Sequence, residues 1–180
     1  MITNAALFNK KILSIFSASF IFLLSAVITL NSCTKDPAGG GGGNGGGGNN
    51  PLAERIITDT AYGANPAQKM DIYLPAGRTG ATKVIVLIHG GAWEAGDKQD
   101  MNYYKNLLGT KWPDAAIANI NYRLASNVNN IHHAEIMDDI TAAVNLMVNN
   151  KNNFVVSDSL VMIGASAGAH LALLYTYAHN

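Results

Sequence analysis

An apolar run, Leu160 to Ile163, ends directly on Gly164-Ala165-Ser166-Ala167-Gly168, and a helix-compatible stretch begins immediately after it. A strand that turns straight into a helix forces the backbone at the corner into a strained conformation, and any sizeable Cβ beside the corner clashes with the neighbouring elements. Small residues on both sides of Ser166 meet that demand. The corner lifts the Ser166 hydroxyl above the edge of a sheet, where a substrate carbonyl can reach it. It also restricts the chain to folds in which buried strands alternate with helices.

The remaining pattern has the same grammar. Val84 to Ile88, Ala115 to Ile120 and Leu160 to Ile163 are near-continuous apolar runs, the mark of strands covered on both faces in a parallel sheet. Arg55 to Thr60 and Lys69 to Leu74 read as an antiparallel edge, the second alternating Met70, Ile72 and Leu74 with more polar neighbours. Between them, Gln99 to Leu108 carries Met101, Tyr104, Leu107 and Leu108, and Ala134 to Val148 carries Ile136, Ile140, Val144 and Met147, both at helical spacing. The fold class expected is α/β, with a mostly parallel central sheet and an antiparallel N-terminal edge. Ligands of such sheets bind beyond the carboxyl ends of the strands.

Composition removes some functions and suggests a location. Lys and Arg total 12, as do Asp and Glu, for a net charge of +0, and no basic cluster is interleaved with aromatics, so nucleic acid is not an expected partner. The single cysteine, Cys33, permits no intrachain disulfide. Lys10-Lys11 precede an apolar, hydroxyl-containing stretch from Ile12 to Leu30, and Leu30-Asn31-Ser32-Cys33 closes it with a sequence resembling a bacterial lipoprotein box. On that reading residues 1–32 are a signal peptide, residues 33–53 are a lipidated Cys33 followed by a Gly/Asn-rich flexible tether, and residues 54–180 belong to the globular domain. The alternative is an uncleaved membrane anchor of about 20 residues. Thr34-Lys35-Asp36 resembles the short signal of surface-exposed lipoproteins in the Bacteroidetes group. The location expected is the bacterial cell envelope, on the outer-membrane surface, with the lipid on Cys33 making the membrane contact.

His89-Gly90-Gly91-Ala92-Trp93 follows the central strand directly. Glycines there let the backbone come close to a substrate and aim N–H groups at a developing oxyanion. Together with the serine corner, this motif resembles the α/β-hydrolase family, in its esterase branch of hormone-sensitive-lipase-like carboxylesterases, acetyl and feruloyl esterases and kynurenine formamidase. The resemblance continues through Ala61-Tyr62-Gly63, Met70 to Pro75, Gly96-Asp97-Lys98, Asn121 to Leu124 and Ser166 to Leu171. It implies Ser166 as nucleophile and the amides of Gly91, Ala92 and Ala167 as the oxyanion hole. It implies no metal and no organic cofactor, with a small-molecule or polysaccharide-linked ester as substrate. An amide-cleaving relative (arylformamidase or peptidase) and a non-catalytic surface binding module on the same scaffold are the alternatives.

The family places its catalytic acid and histidine after the serine, so both are expected beyond Asn180, and the 180 residues are expected to be the front of a longer product with little activity alone. His170 lies one helical turn past Ser166 and reads as a packing or capping residue. His89 reads as part of the oxyanion loop's scaffold. His132, His133, Glu135, Asp138 and Asp139 are metal-ligand types, but their spacing scatters them around one helix, and a solvated first turn is the expectation. Arg123 is expected in an ion pair. Gly91 to Lys98 mimics a phosphate loop without its Lys-Ser/Thr ending.

Overall fold

The structure, a computed structural model, describes residues 51–179. The signal, Cys33 and the glycine-rich stretch lie outside them. Five strands form one sheet: β1 (Arg55–Ala61), β2 (Lys69–Leu74), β3 (Val84–Ile88), β4 (Ala116–Ile120) and β5 (Leu160–Gly164), in the order β1-β2-β4-β3-β5. β1 pairs antiparallel with β2 and β2 antiparallel with β4, whereas β4, β3 and β5 run parallel. Every residue of β3 and β4 is buried, as uninterrupted apolar runs demand.

Side chains alternate between two apolar layers. Val84, Val86, Ile88, Ala116, Ala118 and Ile120 face α2 (His133–Asn149) and α4 (Ala167–Ala178). Ile85, Leu87 and Ile117 face the other way, against Met101 and the flank of α1 (Asn102–Lys111). A short α3 (Lys151–Phe154) leads into β5. The chain leaving β3 therefore turns to one face of the sheet and the chain leaving the adjacent β5 turns to the other. This divergence at the carboxyl ends of neighbouring parallel strands opens the crevice in which α/β sheets bind ligands.

Two elements differ from expectation for identifiable reasons. The helix expected over Gln99 to Leu108 is a 3-10 turn, Lys98–Met101, followed by α1. The Lys98 carbonyl accepts from Asn119 Nδ2 at 2.7 Å, and Asn102 N–H bonds to Gln99 instead, so the α-helical ladder cannot start earlier. Tyr104 and Leu107, expected on the core side, are 44% and 42% exposed, because the apolar layer beneath α1 is small.

Asp139 is the second correction: it does not belong to a solvated turn but is fully buried. One turn further along α2 than the polar start, it accepts from Arg123 Nη2 at 2.6 Å, Gln68 Nε2 at 2.7 Å and the Arg123 backbone N–H at 2.8 Å. Glu135 and His132 do form the exposed cap, with the His132 N–H donating to Glu135 at 2.8 Å. Arg123→Met strands the Asp139 carboxylate in the core, at an expected cost of about 3–5 kcal/mol. Urea denaturation should show the midpoint fall with no change in slope.

Candidate active site

Ser166 sits at the corner between β5 and α4 with φ +50° and ψ −114°, a sparsely populated backbone conformation for a residue with a Cβ, and it is exposed. The flanking glycines explain how the corner closes. A Cβ on Gly164 would enter the backbone of Gly168, and one on Gly168 would lie 2.5 Å from the His89 carbonyl oxygen and closer still to that of Ile88. The start of α4 thus lies directly on the end of β3, which brings the loop after β3 against the serine. A Cβ on Gly90 would stand 2.8 Å from the Ala165 oxygen and 3.3 Å from Ser166 Cβ.

That loop is tightly wound. Gly91, Ala92 and Trp93 have positive φ in succession, +109°, +52° and +65°, and the Gly91 carbonyl accepts from the amides of Glu94 and Ala95 at 3.1 and 3.0 Å. Left-handed backbone at Ala92 and Trp93 costs energy for ordinary residues, on the order of 1–3 kcal/mol each. Among the described residues, the N–H groups of Gly91, Ala92 and Ala167 donate to no backbone acceptor. Gly91 and Ala92 are exposed, and Ala167 opens α4, where first-turn amides lack partners within the helix. The structure places Ser166 and the Gly90 end of this loop side by side, with free donors on both elements.

The histidines have other duties. His170 is exposed, and its ring packs edge-to-face on Trp93 at 5.4 Å and on His133 at 5.2 Å; its backbone N–H donates to the Ser166 carbonyl at 3.2 Å, but its imidazole makes no hydrogen bond to Ser166 among the described residues. His89 is fully buried, stacked on Tyr122 with ring centroids 4.2 Å apart. Burial holds the His89 imidazole below the ordinary histidine range, although its bond to Gly90 and the carboxylates of Asp100 and Asp97 oppose that shift. A depressed histidine leaves stability intact above the unfolded value near 6.5 and removes it as pH falls through the folded value. Melting temperature should drop on acidification below about pH 6.5, and His89→Asn, which cannot titrate, should flatten that dependence.

A buried lysine anchors the far end of the loop. Lys98 Nζ reaches Asp71 at 2.5 Å and Asp59 at 2.6 Å, the latter presented by a β1 bulge. Burial disfavours its charge, yet hydrogen bonds to the two carboxylates win and keep the ammonium above its usual range. The Lys98 N–H donates to Asn121 Oδ1 at 2.5 Å, and Asn121 Nδ2 donates to Asp97 at 2.8 Å. Gly96-Asp97-Lys98 is part of the family resemblance, but nothing in the sequence pattern names Asp59 and Asp71 as the partners of Lys98, because a lysine beside an aspartate reads as solvated surface.

A cavity of about 260 Å³ opens beside Ala92, between Trp93, Ser126, Asn127 and His133. A larger one of about 680 Å³ lies at the opposite, amino ends of the strands, lined by Thr82, Lys83, Trp112 and Ala115, away from both motifs. Ligand placement in α/β sheets favours the smaller.

Residues 70–180, from β2 through the serine corner, match the BD-FAE family. The chain belongs to the BD-FAE family. It resembles an isoprenylcysteine α-carbonyl methylesterase of Arabidopsis thaliana, at 30% identity over 67% of this chain and 27% of that protein. A kynurenine formamidase of Danio rerio is 26% identical over 66% of this chain and 38% of its own length. Among solved structures, a bifunctional GH43-CE protein of Bacteroides eggerthii superposes with a TM-score of 0.57 at 29% identity, covering 66% of this chain and 17% of that one. An esterase B of Lactobacillus rhamnosis gives 0.56 at 27% identity, covering 68% and 39%. This BD-FAE chain therefore has an α/β-hydrolase fold, as expected, and spans well under half the length of the relatives it matches.

Proposed function

We propose that the protein hydrolyses carboxylic esters through an acyl-enzyme on Ser166. The observation that carries this reading is an exposed serine on a positive-φ corner, packed against a glycine loop whose Gly91 and Ala92 amides donate to no backbone acceptor among the described residues. Ser166 Oγ attacks the acyl carbon and gives its proton to a general base. Charge then collects on the former carbonyl oxygen, where the N–H groups of Gly91, Ala92 and Ala167 stabilise it, each contributing roughly 2.7–4 kcal/mol. Collapse expels the alcohol, and water attacks the acyl carbon to release the acid and restore the hydroxyl. The base and its acid partner belong, on this reading, to sequence beyond Asn180, in keeping with the share of its relatives that the chain spans. The 180 residues alone should then turn over poorly. A lipid on Cys33 holds the enzyme at the outside of a bacterial envelope, where acetyl or feruloyl groups on polysaccharides are the substrates met.

The formamidase among the relatives favours one second reading, cleavage of an N-formyl amide by the same machinery. Hydrolysis of p-nitrophenyl acetate, feruloylated and acetylated xylan, and N-formylkynurenine by the complete gene product separates the two. Esters turned over with the higher kcat/KM support the ester reading, and preference for the formamide overturns it. No turnover of any of them, in a protein whose later sequence lacks an acid and a histidine, would point instead to a binding module.

A further inference from the structure

We infer that the cavity beside Ala92 is the subsite for the alcohol portion of the ester, and that it takes a neutral, hydroxyl-bearing ring of pyranose size. The inference rests on the hydrolase reading of Ser166 and adds which part of the substrate lies where. A wall of three rings joins the serine to this cavity. His170 follows Ser166 by one helical turn, with its backbone N–H on the Ser166 carbonyl at 3.2 Å, and its imidazole meets Trp93 at 5.4 Å and His133 at 5.2 Å. Trp93 and His133 line the cavity itself. Backbone bonds hold its walls in place: the Ala125 N–H donates to the Trp93 carbonyl at 2.8 Å, and Ser126 and Ile131 exchange two N–H···O bonds at 2.9 Å. The loop after β4 is thereby tied to the loop after β3.

The lining decides the chemistry of the occupant. Two of its polar side chains bond within the loop, Ser126 Oγ accepting from the Asn129 N–H at 3.2 Å and His132 Nε2 lying 3.1 Å from Asn130 Oδ1. Three do not: the Glu94 carboxylate, the Asn127 amide and the His133 imidazole are exposed and form no hydrogen bond among the described residues. Planar polar groups beside an indole suit a ring with hydroxyls on its rim and C–H groups on its faces. An apolar acyl chain would strip water from those three groups and return no bond. The volume of about 260 Å³ is just under the roughly 300–1,000 Å³ of sites for drug-sized ligands, which fits a single ring. An open cavity also suits the part that must leave. When the first tetrahedral intermediate collapses, the bond from acyl carbon to alcohol oxygen breaks, that oxygen takes the proton the base received from Ser166, and the acyl group stays on the serine. Glu94 sets the charge, since a ring bearing a carboxylate would bring a like charge against it.

Four esters, assayed with the complete gene product, test the assignment. Ethyl acetate carries no ring, an O-acetylated methyl β-xyloside carries one on the alcohol side, the matching methyl glucuronide carries the same ring with a charge, and ethyl ferulate carries a ring on the acyl side. The readout is kcat/KM relative to ethyl acetate, a ratio that cancels any uniform loss. Asn127→Ala and His133→Ala should each lower the xyloside ratio by about 3–10-fold, the worth of one neutral hydrogen bond, and leave the ferulate ratio within about twofold. The wild type should favour the xyloside over the glucuronide, and Glu94→Gln should narrow that preference by about fivefold. All three side chains are exposed, so the variants should fold as the wild type does. A ferulate ratio that falls as far as the xyloside ratio, or farther, would assign the cavity to the acyl group and overturn the proposal. Unmoved ratios in both Asn127→Ala and His133→Ala, or no narrowing in Glu94→Gln, would overturn it too. Those results with ethyl acetate still hydrolysed remove the subsite alone, whereas a wild type that turns over none of the four esters removes the hydrolase reading itself.

Discussion

Ser166→Ala in the complete gene product should lower kcat by about 10⁶, close to 8 kcal/mol of barrier, and leave the melting temperature nearly unchanged. The size follows from the role: without Oγ there is no covalent intermediate, and only binding and oxyanion stabilisation remain. The small effect on stability follows from the geometry. The Ser166 side chain is exposed and caps no helix amide, so its oxygen supports no buried interaction. Alanine also keeps a Cβ at φ +50°, so the strain at the corner is neither relieved nor increased. Paired assays of ester hydrolysis and thermal unfolding check both halves.

The second large effect is on folding. Gly168→Ala should cost more than about 4 kcal/mol, a large part of the 5–15 kcal/mol that holds an ordinary domain together, and leave little folded protein. The added Cβ would meet the carbonyl oxygens of Ile88 and His89, at and just past the end of β3, which cannot move without dragging the Gly90–Gly91 loop. Gly109→Ala is the control. It lies within α1, a Cβ there meets nothing within 4 Å, and helix propensity favours alanine by roughly 0.8–1.0 kcal/mol. Circular dichroism melts should show the first variant collapsed and the second slightly stabilised.

What the sequence made legible was whatever repeats locally. The apolar runs of β3 and β4 and the glycine spacing around Ser166 each express a steric demand within a few residues and appear where expected; β5 forms at its expected residues but is not covered on both faces, because among the described residues it ends the sheet, pairs only with β3 and leaves Val161 40% exposed. The Gly91 and Ala92 amides are named by resemblance alone, and the structure adds one contact beside them, Gly90 against Ser166. Long-range polar partners were not legible. Lys98 with Asp59 and Asp71, and Asp139 with Gln68, join residues dozens of positions apart, and no periodicity encodes such a pair. The start of α1 was misplaced for the same cause, because a side chain from β4 takes the Lys98 carbonyl that the helix would have used.

The most direct test is to treat the complete gene product with a fluorophosphonate, digest it, and locate the added mass. The adduct should fall on the peptide containing Ser166, form at a rate that tracks loss of esterase activity, and be absent in Ser166→Ala. An adduct on a different residue, or full ester hydrolysis with Ser166 unmodified, would contradict a nucleophile at the β5–α4 corner.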